Sequence, residues 1–364
     1  MVRRSPRRDF LRVAGAGLLA MGGGCNALRS STRWTVELDG LLSRIPAQYD
    51  DGLVVGSTHV ADSELGTVTF DGEYDRVTKL PRTTSSPVLR GNTAYVEADG
   101  VVCEASLNAD GFERFDTEYL SFGWFPPAIA GSRMFIAGFS GRVKSFGLFA
   151  LDLDDRQVAW RRAFGEWPTA VTTDGDGVFV SSSAGYVRAY AADDGEHRWT
   201  HATSENARVV CDRGTVFVAS NDGVTALSHD GSERWYRRVV GNAATVPAVT
   251  KSTVYAALSV GSGGNRTTMA ASPYLFAYDR KSGRKRWRKA LPASPSTPLS
   301  AVDGTVVVGT IDAEGDGDLL SVYDEGGDRR RRYDVESGIR MRPMLRGGTV
   351  VAGSFDGVIS AYEL

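Results

Sequence analysis

Residues 168–199 read PTAVTTDGDGVFVSSSAGYVRAYAADDGEHRW. A proline and a few apolar residues lead into the turn Asp174-Gly175-Asp176-Gly177. The run Val178–Ser183 follows, Gly185 turns the chain into a second run Tyr186–Ala192, and Asp193-Asp194-Gly195 precedes a last segment ending on Trp199. Short runs of β-branched and small residues bounded by Gly-containing turns are the signal of strands, and the unit predicts four of them, antiparallel. A single four-stranded sheet leaves two faces uncovered, so units of this size must stack, and radial stacking of units of about 40 residues makes a propeller.

The unit recurs along the chain. Pro127 leads to Met134–Gly138, Leu148–Asp152 and Trp160; Val209 leads to Val216–Ser220, Val224–Ser228 and Trp235; Pro247 leads to Val254–Leu258, Leu275–Asp279 and Trp287. Further units start at Pro46, Pro87, Pro298 and Pro343, which predicts an all-β, eight-bladed β-propeller of four-stranded antiparallel blades. Pro343–Leu364 has room for three strands only, and Arg33–Leu38, with Trp34, has no blade of its own. The expectation is that this N-terminal strand completes the last blade and closes the ring, hiding the edges that would otherwise template aggregation.

Ala189-x-x-x-x-x-Gly195-x-x-x-Trp199 and Ala277-x-Asp279-x-x-x-Gly283-x-x-x-Trp287 resemble the A-x-D-x-x-T-G-x-x-x-W repeat of the pyrroloquinoline-quinone-like propellers. That superfamily contains the quinoprotein alcohol dehydrogenases and an outer-membrane assembly lipoprotein. The resemblance implies that Trp34, Trp160, Trp199, Trp235 and Trp287 dock between neighbouring blades, with Phe115 and Tyr333 as substitutes in weaker ones. It specifies a fold, not an activity.

Ahead of the repeats, residues 1–24 read as an export signal, with a basic start, the apolar stretch Val13–Met21 and small residues before Cys25. Arg7 and Arg8, followed by Phe10 and Leu11, resemble the twin-arginine signal, and Gly23-Gly24-Cys25 resembles a lipobox, although Gly22 stands where the pattern has Leu. The reading is a lipid on Cys25, a short tether over residues 25–32 and one propeller domain over 33–364, on the extracytoplasmic side of the membrane. The stretch is too short to cross a bilayer as a helix.

The chain has 36 Arg and 6 Lys, yet its net charge is −2, so no global field points to nucleic acid. Four histidines, His59, His197, His201 and His229, are scattered, and the spacing of His197 and His201 does not join them on a strand. The quinone enzymes of the superfamily carry adjacent cysteines and a metal; here Cys103 and Cys211 fall in different units and are expected to be unpaired, buried thiols. No cofactor and no metal are expected. The acidic stretch Asp312, Glu314, Asp316, Asp318 reads as a solvated turn, with Ca²⁺ as the alternative. The binding-surface candidates are Phe122, Trp124 and Phe125, in the crossing between the second and third blades, and Trp167 one blade later; packing between blades is the competing reading. The insertion Gly261–Tyr274 carries a glycosylation sequon at Asn265. Together these point to a monomeric scaffold that binds extracytoplasmic or membrane proteins, with a quinone-dependent oxidoreductase as the alternative.

Overall fold

The computed structural model describes residues 32–364 apart from 60–61, 83–84, 116–119, 123–124, 143, 240, 244, 261–271, 312–317 and 336. The described residues form eight antiparallel sheets and no helix. Seven sheets are consecutive in the chain, their second to fourth strands running from Gly52–Thr58 in the first blade to Arg329–Val335 in the seventh. The eighth is drawn from both ends: Met344–Arg346, Thr349–Gly353 and Val358–Glu363, with Thr32–Glu37 paired antiparallel to the last, Val36 opposite Ile359. In the first, third, sixth and seventh blades the innermost strand is split in two, as in Leu41–Leu42 and Ala47–Tyr49, both paired with Gly52–Thr58.

Burial follows position in the blade. The second strands of the fourth and fifth blades, Gly177–Ser182 and Thr215–Ser220, are buried at every residue, while the outermost strand Lys285–Ala290 alternates toward solvent. The period of two explains how a buried strand serves two neighbours. Val254, Ala256 and Leu258 face the cluster shared with the fifth blade, and Tyr255 and Ala257 face the one shared with the seventh. Eight such clusters occupy the eight seams.

Five of the eight seams are also fastened by an indole at one end of the blades, at the turns between third and fourth strands. The indole N–H of Trp160 donates to Ala192 O in the next blade at 3.2 Å, Trp199 to His229 O at 2.8 Å, Trp235 to Arg280 O at 3.0 Å and Trp287 to Glu325 O at 2.7 Å. Trp34, on the eighth blade, donates to Phe70 O of the first at 2.9 Å. Under each indole lies a glycine of that turn, Gly72, Gly195, Gly231, Gly283 or Gly327, with φ between +65° and +91°; a β-carbon there would sit 2.5–2.7 Å from the indole ring. Glycine is therefore required twice, by the left-handed backbone and by the ring above it. Arg162 and Arg237, two residues after their tryptophans, reach the same turns, donating from Nε to Gly195 O and Gly283 O at 2.7 Å.

Where the tryptophan is missing, the turn changes. The outer strand of the first blade, Tyr74–Leu80, has no aromatic past its first residue, and nothing lies within 4 Å of a β-carbon built on Gly111 in the next blade. Phe115 serves the seam to the third blade, where Arg156, with φ +56°, stands at the glycine position and holds its guanidinium 5.6 Å from the Phe115 ring. In the seventh blade Arg331 takes the tryptophan position, opposite Val322. Tyr333, two residues later, lies 4.7 Å from Tyr362 and donates to Glu363 O, so it meets the eighth blade at a strand end and not over a glycine turn.

A double-mutant cycle tests the indole–glycine contact. Gly283→Ala is expected to cost about 1–3 kcal/mol for its φ alone, plus the displacement of Trp235. In a Trp235→Ala background, itself costing about 3–5 kcal/mol, the second part vanishes, so the double variant should be more stable than the sum of the singles by about 1 kcal/mol or more in denaturant unfolding. Additive costs would show that the ring does not rest on the glycine.

Candidate functional site

The two faces of the disc differ. On the fastened face a cavity of about 580 Å³ lies where the fourth and fifth blades meet, lined by Asp174, Asp176, Cys211 and His229 among others. His229 Nδ1 is 2.8 Å from Asp174 Oδ2, its Nε2 is 3.0 Å from Asp176 Oδ2, and Arg198 donates to the same Asp176 oxygen at 2.6 Å. The Arg198 guanidinium, and to a smaller extent His229, hold the Asp176 carboxyl below the usual carboxylate range. Cys211 Sγ stands 3.9 Å from Asp174, so a carboxylate separates the thiol from the imidazole. Burial, then the charge of Asp174, pushes the thiol up to about 12. Asp174 thus receives both the thiol and the imidazole, and with Asp176 and Arg198 it ties the fourth blade to the His229 turn of the fifth. His197 and His201 stay apart: His197 Nε2 meets the Thr200 hydroxyl at 2.8 Å, and His201 pairs with Val187 across the strand.

The opposite face is made by the turns between second and third strands and by the crossings from one blade to the next. Trp167 sits in the crossing before Pro168, which holds it extended, and its carbonyl accepts the Ser183 N–H at 2.9 Å. Its side chain is 53% exposed and lies 4.8 Å from Phe146, which is in turn 5.5 Å from Phe139. Beside them Arg188 spans the rings of Phe164 and Tyr186 at 5.3 and 5.0 Å and donates to Glu166 at 2.8 Å. Tyr186 is itself 37% exposed. Rigid aromatics around a guanidinium are the composition of interface anchors.

Of the other surface candidates, Phe125 packs against the buried cluster of the third and fourth blades, with Phe135 and Trp160, so it belongs to a seam and not to the rim. Phe122 lies in the strand Leu120–Phe122, paired opposite Gly138. Trp124, Asn265, Arg7, Arg8 and Cys25 lie outside the described residues. Asp318 departs from the reading as part of a solvated turn: it is buried and accepts the Ile339 N–H at 2.6 Å, while Asp312, Glu314 and Asp316 lie outside the described residues.

Cys103 and Cys211 are both free; Cys103 is buried and Cys211 only half-buried, contrary to the expectation of two buried thiols, because Cys211 lies next to the end of the innermost strand Arg208–Asp212, against an open cavity.

The model of the outer membrane protein assembly factor BamB matches residues 25–201 and again 183–364. The chain belongs to this family. No curated protein sequence matches it. Among solved structures, BamB from Moraxella catarrhalis is 15% identical with a TM-score of 0.66, covering 92% of this chain and 97% of that one. Quinohemoprotein alcohol dehydrogenase from Comamonas testosteroni is 12% identical with a TM-score of 0.70, covering 92% of this chain and 76% of that one. The computationally designed Ika8 protein is 13% identical with a TM-score of 0.71, covering 90% and 98%. At these identities the likeness shows the fold, shared by a BamB protein, an enzyme and a designed chain alike.

No group of three His, Cys, Asp or Glu side chains among the described residues is placed to hold a metal. Arg208 Nη1 and Arg342 Nε are buried and have no hydrogen-bond partner among the described residues. Cys103 and Cys211 lie in different sheets, paired with Val96 and Val216.

The thiols give a pH test. Burial pushes Cys103 up to about 11 and Cys211 to about 12, above the ordinary thiol range in the unfolded chain. The folded state therefore keeps protons that the unfolded state releases. This stability is fully present below about pH 8.5 and is lost as pH rises toward the folded values. Cys103→Ala/Cys211→Ala should flatten the loss of melting temperature between about pH 9 and 11. In the native protein at neutral pH, both thiols should react with iodoacetamide far more slowly than in urea.

Proposed function

We propose that the chain is an extracytoplasmic protein-binding or assembly scaffold without catalytic activity of its own, and that the Trp167 surface is where a partner docks. The observation that carries this reading is the half-exposed Trp167 packed at a tilt against Phe146, beside Tyr186 and Arg188, on the face that the inter-blade tryptophans leave free. Membership of a family described as an outer membrane protein assembly factor supports a partner in that setting. The twin-arginine pair Arg7 and Arg8 would direct export, and a lipid on Cys25 would hold a monomeric propeller at the membrane. Thr32–Glu37 would then act both as the end of the tether and as the strand that seals the ring.

A photocrosslinking amino acid at position 167 should give a discrete adduct in the native cell envelope, and one at Val302, exposed on the opposite face, should not. Equal labelling from both positions, or from neither, would remove the rim as the docking surface. Deleting residues 32–37 should abolish cooperative melting instead of lowering it slightly, since the eighth blade would keep three strands; a cooperative melt near the parental temperature would show that the ring closes without them.

The likeness to quinohemoprotein alcohol dehydrogenase favours a second reading, an oxidoreductase component. Adding pyrroloquinoline quinone with Ca²⁺ should leave the melting temperature and visible spectrum unchanged; a bound chromophore would establish that second reading in place of the scaffold.

A further inference from the structure

The seam between the eighth and first blades opens, on the same face as Trp167, into a cavity of about 410 Å³. One wall is Leu41 at the start of the first blade, 46% exposed; the other is Phe355 in a turn of the eighth, 37% exposed. Only five large hydrophobic side chains are exposed among the described residues, and two of them face this one space. Leaving such surface in water forgoes about 25 cal/mol per Å², and paired apolar walls with a few polar groups are the ordinary make-up of a ligand site.

The charge in the cavity is unbalanced. Arg340 donates from Nε to Leu42 O and lies 5.4 Å over the Phe355 ring, and no carboxylate of the described residues is within ion-pair distance of it. Arg82, also lining the cavity, has no ion pair among the described residues either. The one lining carboxylate, Asp356, accepts the Ser354 hydroxyl. Arginines on the opposite face are matched: Arg198 with Asp176, Arg280 with Asp212, Arg286 with Asp279. Burial, and then the nearby Arg44, hold Arg340 below its ordinary range, so the site disfavours a cation that nothing offsets. A carboxylate delivered from outside would meet the remaining guanidinium N–H groups in the planar geometry that arginine recognises.

We propose that this cavity binds an extended segment of a partner polypeptide that presents an aromatic or aliphatic side chain next to a carboxylate. The apolar side chain would lie between Leu41 and Phe355, and the carboxylate on Arg340 and Arg82. The inference rests on the reading of this face as partner-binding, and it names the chemistry of a second contact there, at a seam well removed in the ring from the third and fourth blades.

The test uses fluorescence anisotropy with three labelled peptides on the folded chain: Gly-Ser-Phe-Asp-Ser-Gly, the same with Asn for Asp, and the same with Ser for Phe. The Phe-Asp peptide should saturate, the other two should bind about tenfold more weakly or worse, and its affinity should fall as salt rises to about 0.3 M. Arg340→Gln and Leu41→Ser should each cost about tenfold in affinity. Leu41 is exposed, so its variant keeps the test alive if Arg340→Gln unfolds. Trp167→Ser should leave the peptide affinity unchanged, which separates failure of this cavity from failure of the rim. Absence of saturation, equal affinity for the three peptides, insensitivity to Leu41→Ser, or competition by phenylacetate as strong as by the unlabelled peptide would overturn the proposal.

Discussion

The molecule depends on a ring of indoles resting on glycines. A blade cannot bury its own faces, so stability has to come from seams, and a seam of aliphatic side chains alone would let neighbouring sheets slide. The tryptophan at the end of one blade, hydrogen-bonded to a carbonyl of the next and laid flat on a glycine with positive φ, fixes the sliding coordinate. Directional hydrogen bonding and close packing at the same point are what make the contact specific. Arg162 and Arg237 add charged donors to the same turns. Because the fastening is local, the innermost strands can be interrupted and the opposite turns can vary in length without loosening the disc.

This division shows how much could be read beforehand. The blade count, strand order and seam positions follow from a period that repeats the same residue types, with Gly195 and Trp199 or Gly283 and Trp287 at fixed spacing. What escaped was whatever depends on the neighbour instead of the repeat. Arg156 looks like a break in the pattern until Phe115 is placed under its guanidinium. Tyr333 looks like a tryptophan substitute, yet it is two positions off, because the eighth blade offers a chain end where the others offer a turn. Phe125 allows two readings, rim or packing between blades, and the choice is made by Phe135 and Trp160, which the primary structure does not place beside it.

The surfaces were still less legible. Trp167 could be singled out because a large aromatic before a proline in a crossing is conspicuous. Leu41, Phe355 and Arg340 could not, since Arg340 and Leu42 are 298 positions apart and meet only after the ring has formed. The cluster of Asp174, Asp176, Arg198 and His229 was hidden for a related reason: its members come from turns and an outer strand of two blades, each unremarkable on its own. Sites built across seams leave no contiguous motif, so composition and spacing are silent about them.

The eighth sheet has a further implication for biogenesis. Thr35 and Ser360 face each other across 325 positions, and Val36 finds Ile359 only after the seven other sheets have been made. The first of the described strands is thus the last to acquire a partner, and until Val358–Glu363 is made it carries an open edge. A propeller of this design can assemble its middle sheets before that strand is paired, and as long as Val358–Glu363 is missing the unpaired edge is open to the addition of another strand.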